Sequence, residues 1–291
     1  MRVFIKPNDT LFFRDGKPFT SGEQTEGSGI FPPYPSTVYG ALRTAYISRN
    51  GGLQKFLRGE MKAEIGTPTE NGSFRIKSCL IGTEDNTFFP VPRDMAKPGG
   101  NESYHKLKLM SESPFMSNRN KLQPLWTNDA GKIEYIESDY IAGDDLTVYL
   151  NGKKSDFKPI HSSEYMEYEP KVGIGRNKTT RTSEEGKLYR ISMYRLKDGY
   201  GIVVDFEGAE LGESGMVRLG GEGKSAGYWK VVEKENYNAD FIAPIIDKNR
   251  NFKIYFASPA IFSNGWIPSG MNKDSLEWNY NGLRLKLIAA S

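Results

Sequence analysis

An α+β fold, with small sheets, many turns and few helices, is what this sequence predicts. Three observations carry that reading. Apolar residues recur at 3/4 spacing in one strong stretch only, residues 37–49. Short alternating or β-branched runs bounded by Gly, Pro, Asn or Asp fill much of the remainder. Glycine supplies 31 of 291 residues, above the ~7% of an average chain, as turns and close backbone approaches require. Strands that come in runs, not in alternation with helices, are the α+β signature. No repeat of fixed period points to a solenoid or propeller.

The elements follow in order. "VFIKP" alternates and reads as a strand; "NDTLFFRDGKPF" follows, with a turn at Asp15-Gly16. Residues 20–35 are rich in Gly, Ser and Pro and read as a loop. Ser36 or Thr37 then caps a helix whose buried face is Val38, Ala41, Leu42, Ala45 and Tyr46, with Arg43 on the opposite side. "LQKFLRG" is a short second helix, and "FRIKSCLIGTEDNTFFPVP" reads as strand, turn, strand. Residues 93–121 have no clean period and read as an insertion or arm. "DYIAGDDLTVYLNG" reads as a helix or cap ahead of a short strand. "LYRISMYRLKDGYGIVVDFEG" is two strands joined at Asp198-Gly199, and "GMVRLGG" and "YWKVVEK" are strands around a glycine loop. "FKIYFASPAIFSNGWIP" and "LRLKLIAAS" are strand-like. A domain boundary is expected between residues 125 and 170, dividing the chain into 1–150, with the arm at 93–121, and 151–291, with the glycine loop.

Composition narrows the class. Charged residues make up 26% and aromatics 12%, a globular profile. Arg2 and Lys6 interrupt the N-terminal apolar run, so it does not read as a signal peptide. No stretch reaches the ~18 apolar residues of a membrane helix. The one cysteine, Cys79, cannot form an internal disulfide. Together these predict a cytoplasmic protein with no membrane partner. Net charge is only +3, but its distribution is uneven: residues 127–170 carry −6 and residues 171–195 carry +5. One patch then faces a polyanion and the other a basic partner, or both are solvated faces.

"RLGGEGKSAGYWKVV", residues 218–232, nearly spells a nucleotide-binding loop. Gly223-Lys224-Ser225 matches the end of GxxxxGK[ST], but Arg218 stands where its first glycine belongs. A β-branched run follows, not the helix whose N-terminus would hold phosphates. Nucleotide hydrolysis is therefore rejected. "VGIGRNK" fails GxGxxG in the same way, with Lys178 at the third glycine. Glycines that leave amides accessible, flanked by Arg218 and Lys224, suit a nucleic-acid phosphate; the alternative is a tight turn between two strands. Ser36 and Thr37 at a helix start have the same two readings, phosphate ligand or cap.

Catalytic constellations are scarce. His105 and His161 have no partner at metal-ligand spacing, and HExxH is absent. Neither a metal nor a cofactor is expected. Adjacent carboxylates such as Asp144-Asp145 and Glu184-Glu185 point in different directions. A metal-independent ribonuclease wants a base and an acid, often His, and His105 is the one candidate.

Six stretches in order, "KPNDTLFFRDGKPF", "FPPYPSTVYGALRTAY", "FFPVPRDM", "KVGIGRNKTTRTSEEGKLY", "RLGGEGK" and "SNGWIP", resemble the third subunit of the type III-B CRISPR Cmr effector complex, in the 5′-handle-binding group of the repeat-associated mysterious protein (RAMP) superfamily. The resemblance covers nearly the whole chain. It implies two ferredoxin-like (RRM-like) domains with antiparallel sheets, long insertions and a glycine-rich loop. It implies a non-catalytic subunit that binds the 5′ handle of the CRISPR RNA and docks on the large polymerase-domain subunit and the first backbone RAMP subunit. It also implies a β-hairpin thumb that kinks the guide, for which residues 93–121 are the candidate. The family continues past the strand matching "LRLKLIAAS" into a further strand.

RNA would be held by Arg and Lys at phosphates and by aromatics stacked on splayed bases. The candidate residues are Ser36 and Arg43 by the first helix, Arg176, Lys178 and Arg181 in the basic segment, and Arg218, Gly220, Gly221, Gly223 and Lys224 in the loop. Arg14 and Lys17 are secondary candidates, and Tyr39 or Phe31 either stacks on a base or packs in the core. The acidic segment 127–170 would face a protein partner. Two other classes stay open: a metal-independent CRISPR RNA-processing endoribonuclease on the same fold, and a protein-only scaffold.

Overall fold

The computed structural model describes residues 1–16, 26–27, 29–98, 104–110, 122–128, 132–134, 138–152, 158–232, 251–280 and 282–290. The elements run β1 (Arg2–Pro7), β2 (Glu26–Gly27), α1 (Pro35–Arg49), α2 (Gly52–Leu57), α3 (Lys62–Ile65), β3 (Arg75–Gly82) and β4 (Phe88–Pro90). Short pieces follow: β5 (Met95–Pro98), β6 (His105–Lys106), β7 (Lys108–Leu109), β8 (Leu125–Trp126), β9 (Ile133–Glu134), β10 (Tyr140–Ala142), α4 (Gly143–Leu150) and α5 (Ser162–Tyr165). The chain then becomes strand-rich, with β11 (Met166–Arg176), β12 (Ser183–Leu196), β13 (Gly201–Glu207), β14 (Ser214–Arg218), β15 (Ser225–Lys230), β16 (Glu277–Tyr280) and β17 (Leu283–Lys286). This is the mixed helix-and-strand composition with antiparallel sheets that the sequence predicts.

A five-stranded sheet in the order β14-β15-β1-β13-β3 organises the molecule, and its pairings are all antiparallel. β1 lies in the middle because both its faces are apolar: Val3, Phe4 and Ile5 are at most 1% exposed. Successive side chains of a strand point to opposite faces. Val3 and Ile5 accordingly meet Val38 and Leu42 of α1, with Ile202, Val204 and Phe206 of β13, in one core. The 3/4 face read from the sequence is therefore the buried one. Leu42 is fully buried there, and Leu42→Ala is expected to cost about 2–5 kcal/mol by the cavity it leaves. Urea unfolding of both chains measures it.

Pro35, not Ser36 or Thr37, opens α1. Tyr34 is the extended N-cap residue, with no side-chain cap bond, and proline takes the first turn. Proline suits that position because its missing N–H would have no partner there anyway. Ser36 is thus a helical residue and not a cap. The stretch "DYIAGDDLTVYLNG", expected as a helix or cap ahead of a short strand, holds both elements in the opposite order, the strand β10 preceding the helix α4. Asp144 and Asp145 in the first turn favour the helix N-terminus, and Leu146 and Tyr149 are buried one turn apart. Residues 251–256, expected as a strand, pair with no ladder among the described residues. Side chains hold them instead: Lys253 Nζ donates to Asp94 Oδ2, and Tyr255 Oη donates to the Pro90 carbonyl at 2.5 Å.

Two connections differ from the simplest expectation. β12 and β13 meet at Asp198-Gly199, with Gly199 at φ 86, yet they do not form a hairpin. β12 pairs with β11, while β13 pairs with β1 and β3. The central sheet also takes β1 and β3 from one side of the expected 150/151 boundary and β13–β15 from the other. That point in the sequence therefore does not divide the sheet, and the glycine loop belongs to the sheet that begins with β1. No helix among the described residues is long and apolar enough to cross a membrane.

Candidate nucleic-acid interface

The glycine loop connects two antiparallel strands. Val217 faces Ala226 and Arg218 faces Ser225 across the ladder, and the Leu219 amide closes the loop on the Lys224 carbonyl at 2.8 Å. A strand on each side excludes the phosphate-binding loop that needs a following helix. Each glycine has its own reason. Gly220 stands at φ 82 and ψ −169, a region open essentially to glycine alone. A Cβ there would lie 2.7 Å from the Phe12 carbonyl oxygen. Gly221 donates its amide to that same oxygen at 2.7 Å. Gly220 and Gly221 thus let the loop press on residues 12–13, and the Gly221 amide is not free for a phosphate. Gly223, at φ 63, would place a Cβ with no atom of the described residues within 4 Å.

Pressing the loop onto residues 12–13 opens a cleft of about 360 Å³ beside the first half of α1. Arg14 and Arg218 line it, with Tyr34, Thr37 and the backbones of Gly220 and Gly221. Both arginines are exposed, and neither forms an ion pair with another described residue. Tyr34 is 37% exposed, enough for a base to reach its ring. The isolated cationic pair, the aromatic and the hydroxyl are what a single-stranded nucleic acid needs at one nucleotide step. Tyr34 is not among the candidates legible in the sequence, and Thr37 is there only as a hydroxyl at the helix start. The signal available was "PPYPST", where prolines stiffen the approach to a helix start. Arg14 moves from secondary to central, and Lys17 lies outside the described residues.

The other candidates separate. Arg43 is committed to the fold: Nε donates to the Ile65 carbonyl at 3.1 Å and Nη2 to that of Thr67 at 2.8 Å. Its guanidinium also lies 4.9 Å from the Phe56 ring centroid. Ser36 is exposed on the helix, but the residues of α1 that line the cleft include Thr37 and Thr44 and not Ser36. Tyr39 stacks on Phe74 at 4.8 Å, and Phe31 sits 5.2 Å from Tyr194. Both rings pack against the core.

Arg176, Lys178 and Arg181 gather at the far end of the β11–β12 ribbon. Its register runs from Met166 opposite Leu196 to Arg176 opposite Ser183. At ~3.3 Å per residue that is a ribbon of roughly 30 Å. The tip is closed by Asn177, whose Oδ1 accepts the amides of Thr179 at 2.9 Å and Thr180 at 3.0 Å. Arg181, at φ 57, completes the turn, and Arg176 Nε donates to its carbonyl at 3.2 Å. All three cations are exposed. Tyr168, Val172 and Ile174 on one face of β11 are 63%, 63% and 49% exposed. The projecting ribbon is thus β11–β12. Of residues 93–121, 99–103 and 111–121 lie outside the described residues, and the described remainder contains the short strands β5, β6 and β7.

Lys224 lies in neither place. Its Nζ donates to Asp9 Oδ2, and its side chain is 19% exposed. Asp9 also meets Arg195 at 3.5 Å, and Arg195 donates to Glu169 at 2.6 Å. Lys171 donates to Glu222 at 2.5 Å. The hydrogen bond from Lys224, reinforced by the Thr10 amide, lowers the Asp9 carboxyl from 3.8 to about 2. A carboxyl depressed by folding stabilises the fold above its unfolded pKa, near 4, and loses that contribution as pH falls through the folded value. Asp9→Asn is therefore expected to lower the denaturation midpoint at pH 5, with the gap from the parent closing as the pH falls toward 2. A pH series of urea melts on both chains measures it; a gap independent of pH would contradict the pairing.

Among the described residues no group of three or more His, Cys, Asp or Glu converges on a metal position. Residues 3–291 match the profile of the family described as CRISPR-associated protein (Cas_Cmr3). Nothing among curated proteins matches the chain. Among solved structures, a chain of the type III-B Cmr-beta complex bound to cognate target RNA is 19% identical, with 80% of this chain and 65% of that chain covered, at a TM-score of 0.46. A chain of the same assembly with AMPPnP is 18% identical, with 80% and 64% covered, also at 0.46. A chain of the Csm1-Csm4 cassette in complex with AMPPNP is 15% identical, with 72% and 59% covered, at 0.32. This chain thus spans just under two thirds of the length of the first two solved chains.

Proposed function

The chain belongs to the Cas_Cmr3 family of CRISPR-associated proteins, and from that premise we propose that it is a non-catalytic RNA-binding subunit of a type III-B RNA-guided interference complex. Its part is to hold the 5′ handle of the CRISPR RNA in the cleft between the glycine loop and α1. The observation that carries this reading is the pair Arg14 and Arg218, which line one cleft beside the glycine backbones with no ion pair to a carboxylate among the described residues. Phosphates bind at the two arginines, and a splayed base stacks on Tyr34. Ser36 and Thr37 add hydroxyls at the helix entrance, where amides and dipole favour an anion.

The β11–β12 ribbon is the thumb of the resemblance, in place of residues 93–121. Its reach, its exposed apolar face and its tip cations Arg176, Lys178 and Arg181 support that reading. The strands β15-β1-β13-β3, with α1 crossing one face, support a ferredoxin-like first domain. The large polymerase-domain subunit and the first backbone RAMP subunit are the proposed protein partners, and the acidic stretch 127–170 is the surface offered to one of them. The test is binding of the chain, with its large-subunit partner, to a CRISPR RNA carrying its handle and to one with the handle scrambled. Preference for the true handle is expected. Equal binding to both would leave a protein scaffold.

A further inference from the structure

Glu222 stands at the apex of the glycine loop at φ 58 and ψ 16, in the left-handed region. A glycine would occupy that position without strain, as at Gly220 and Gly223 on either side. A non-glycine residue held in such a conformation directs attention to its side chain. The Glu222 carboxylate accepts from Lys171 Nζ at 2.5 Å. Lys171 lies on β11 opposite Ile191, where β12 also meets β2. Between that level and the tip no other strand pairs with the ribbon among the described residues. A second tie lies nearer the base: Lys224 of the loop joins Asp9, Asp9 joins Arg195 of β12, and Arg195 donates to Glu169 of β11. The loop that forms one wall of the cleft therefore grips the ribbon at two heights.

We infer that Glu222 and Lys171 are positioning residues that set the angle at which the β11–β12 ribbon leaves the cleft. RNA held at Arg14 and Arg218 then meets Arg176, Lys178 and Arg181 at a fixed separation. Lys224, with Asp9 and Arg195, is the second anchor and not a phosphate ligand. The inference rests on the reading that cleft and ribbon both take RNA, and it explains why the loop carries a strained acidic residue beside basic neighbours.

The test uses the full chain with spin labels at Thr179→Cys on the ribbon tip and Ser48→Cys on α1. Cys79 stays unlabelled, because it is buried and burial pushes its thiol up to about 12. In Glu222→Gly the label-to-label distance distribution is expected to broaden, while the melting temperature holds or rises because backbone strain is relieved. Guide RNA binding should weaken about two- to fivefold, the scale of one exposed ion pair. The charge swap Glu222→Lys with Lys171→Glu should narrow the distances and restore binding, which a merely structural loop would not do. An unchanged distribution in Glu222→Gly, or a swap that restores neither, overturns the inference. Binding indifferent to Arg14→Glu with Arg218→Glu overturns the cleft reading alone, since the distances report the tie without RNA.

Discussion

A chain carrying Arg14→Glu and Arg218→Glu is expected to bind handle-bearing CRISPR RNA roughly 100-fold more weakly than the parent, taking about 1.5 kcal/mol for each charge-assisted contact. The two side chains line one cleft and lack ionic partners among the described residues. Their reversal therefore removes cations from the RNA path without stranding a buried charge in the fold. The salt dependence supplies an independent check. Each phosphate contact to a single strand contributes about −0.7 to the slope of log K against log salt, so the double variant should lose about 1.4. Fluorescence anisotropy over a salt series measures both quantities. Unchanged affinity and slope would remove the cleft from the RNA path. Arg43 is the informative contrast, because its guanidinium serves the Ile65 and Thr67 carbonyls. Arg43→Gln should lower stability and leave the slope alone.

Gly220→Ala is expected to destabilise the chain by about 3 kcal/mol or more, lowering the melting temperature by roughly 5–10 °C. Two costs add at this position. The backbone at φ 82 and ψ −169 is closed to a side chain, and the new Cβ would meet the Phe12 carbonyl oxygen at 2.7 Å. That oxygen is backbone and already accepts the Gly221 amide, so it cannot give way without losing the contact that shapes the cleft. Gly223→Ala separates the two costs. Its φ is 63, but no atom of the described residues lies within 4 Å of the added carbon, so it should lose only about 1–2 kcal/mol. Calorimetry of the two variants distinguishes them, and equal melting would refute the close approach of loop and residues 12–13.

The distinction between these glycines marks how far the sequence could be read. Glycines at 220, 221 and 223 announced a loop between strands, and Arg218 in place of the first glycine ruled out the GxxxxGK[ST] motif. Nothing in "RLGGEGK" says which glycine faces a backbone and which faces solvent. That is decided by Phe12, whose carbonyl arrives from the other end of the chain. Arg14 and Arg218 became a pair for the same reason, because β1 lies between β15 and β13. Lys224 and Arg43 looked like free cations, and the acceptors that occupy them, Asp9 and the Ile65 and Thr67 carbonyls, are in other elements.

By itself the sequence determined the α+β class, the helix over residues 37–49 with its buried face, the strand-flanked glycine loop and the excess of positive charge over residues 171–195. These follow from period, local backbone preference and composition, which are properties of neighbouring residues. Only the tertiary structure decided that β12 leaves β13 to pair with β11, that the basic segment becomes a projecting ribbon, and that Arg14 and Arg218 line one cleft. Periodicity tells which face of an element must be buried but not against what, and charge is free or spent according to partners that only chain folding brings within reach.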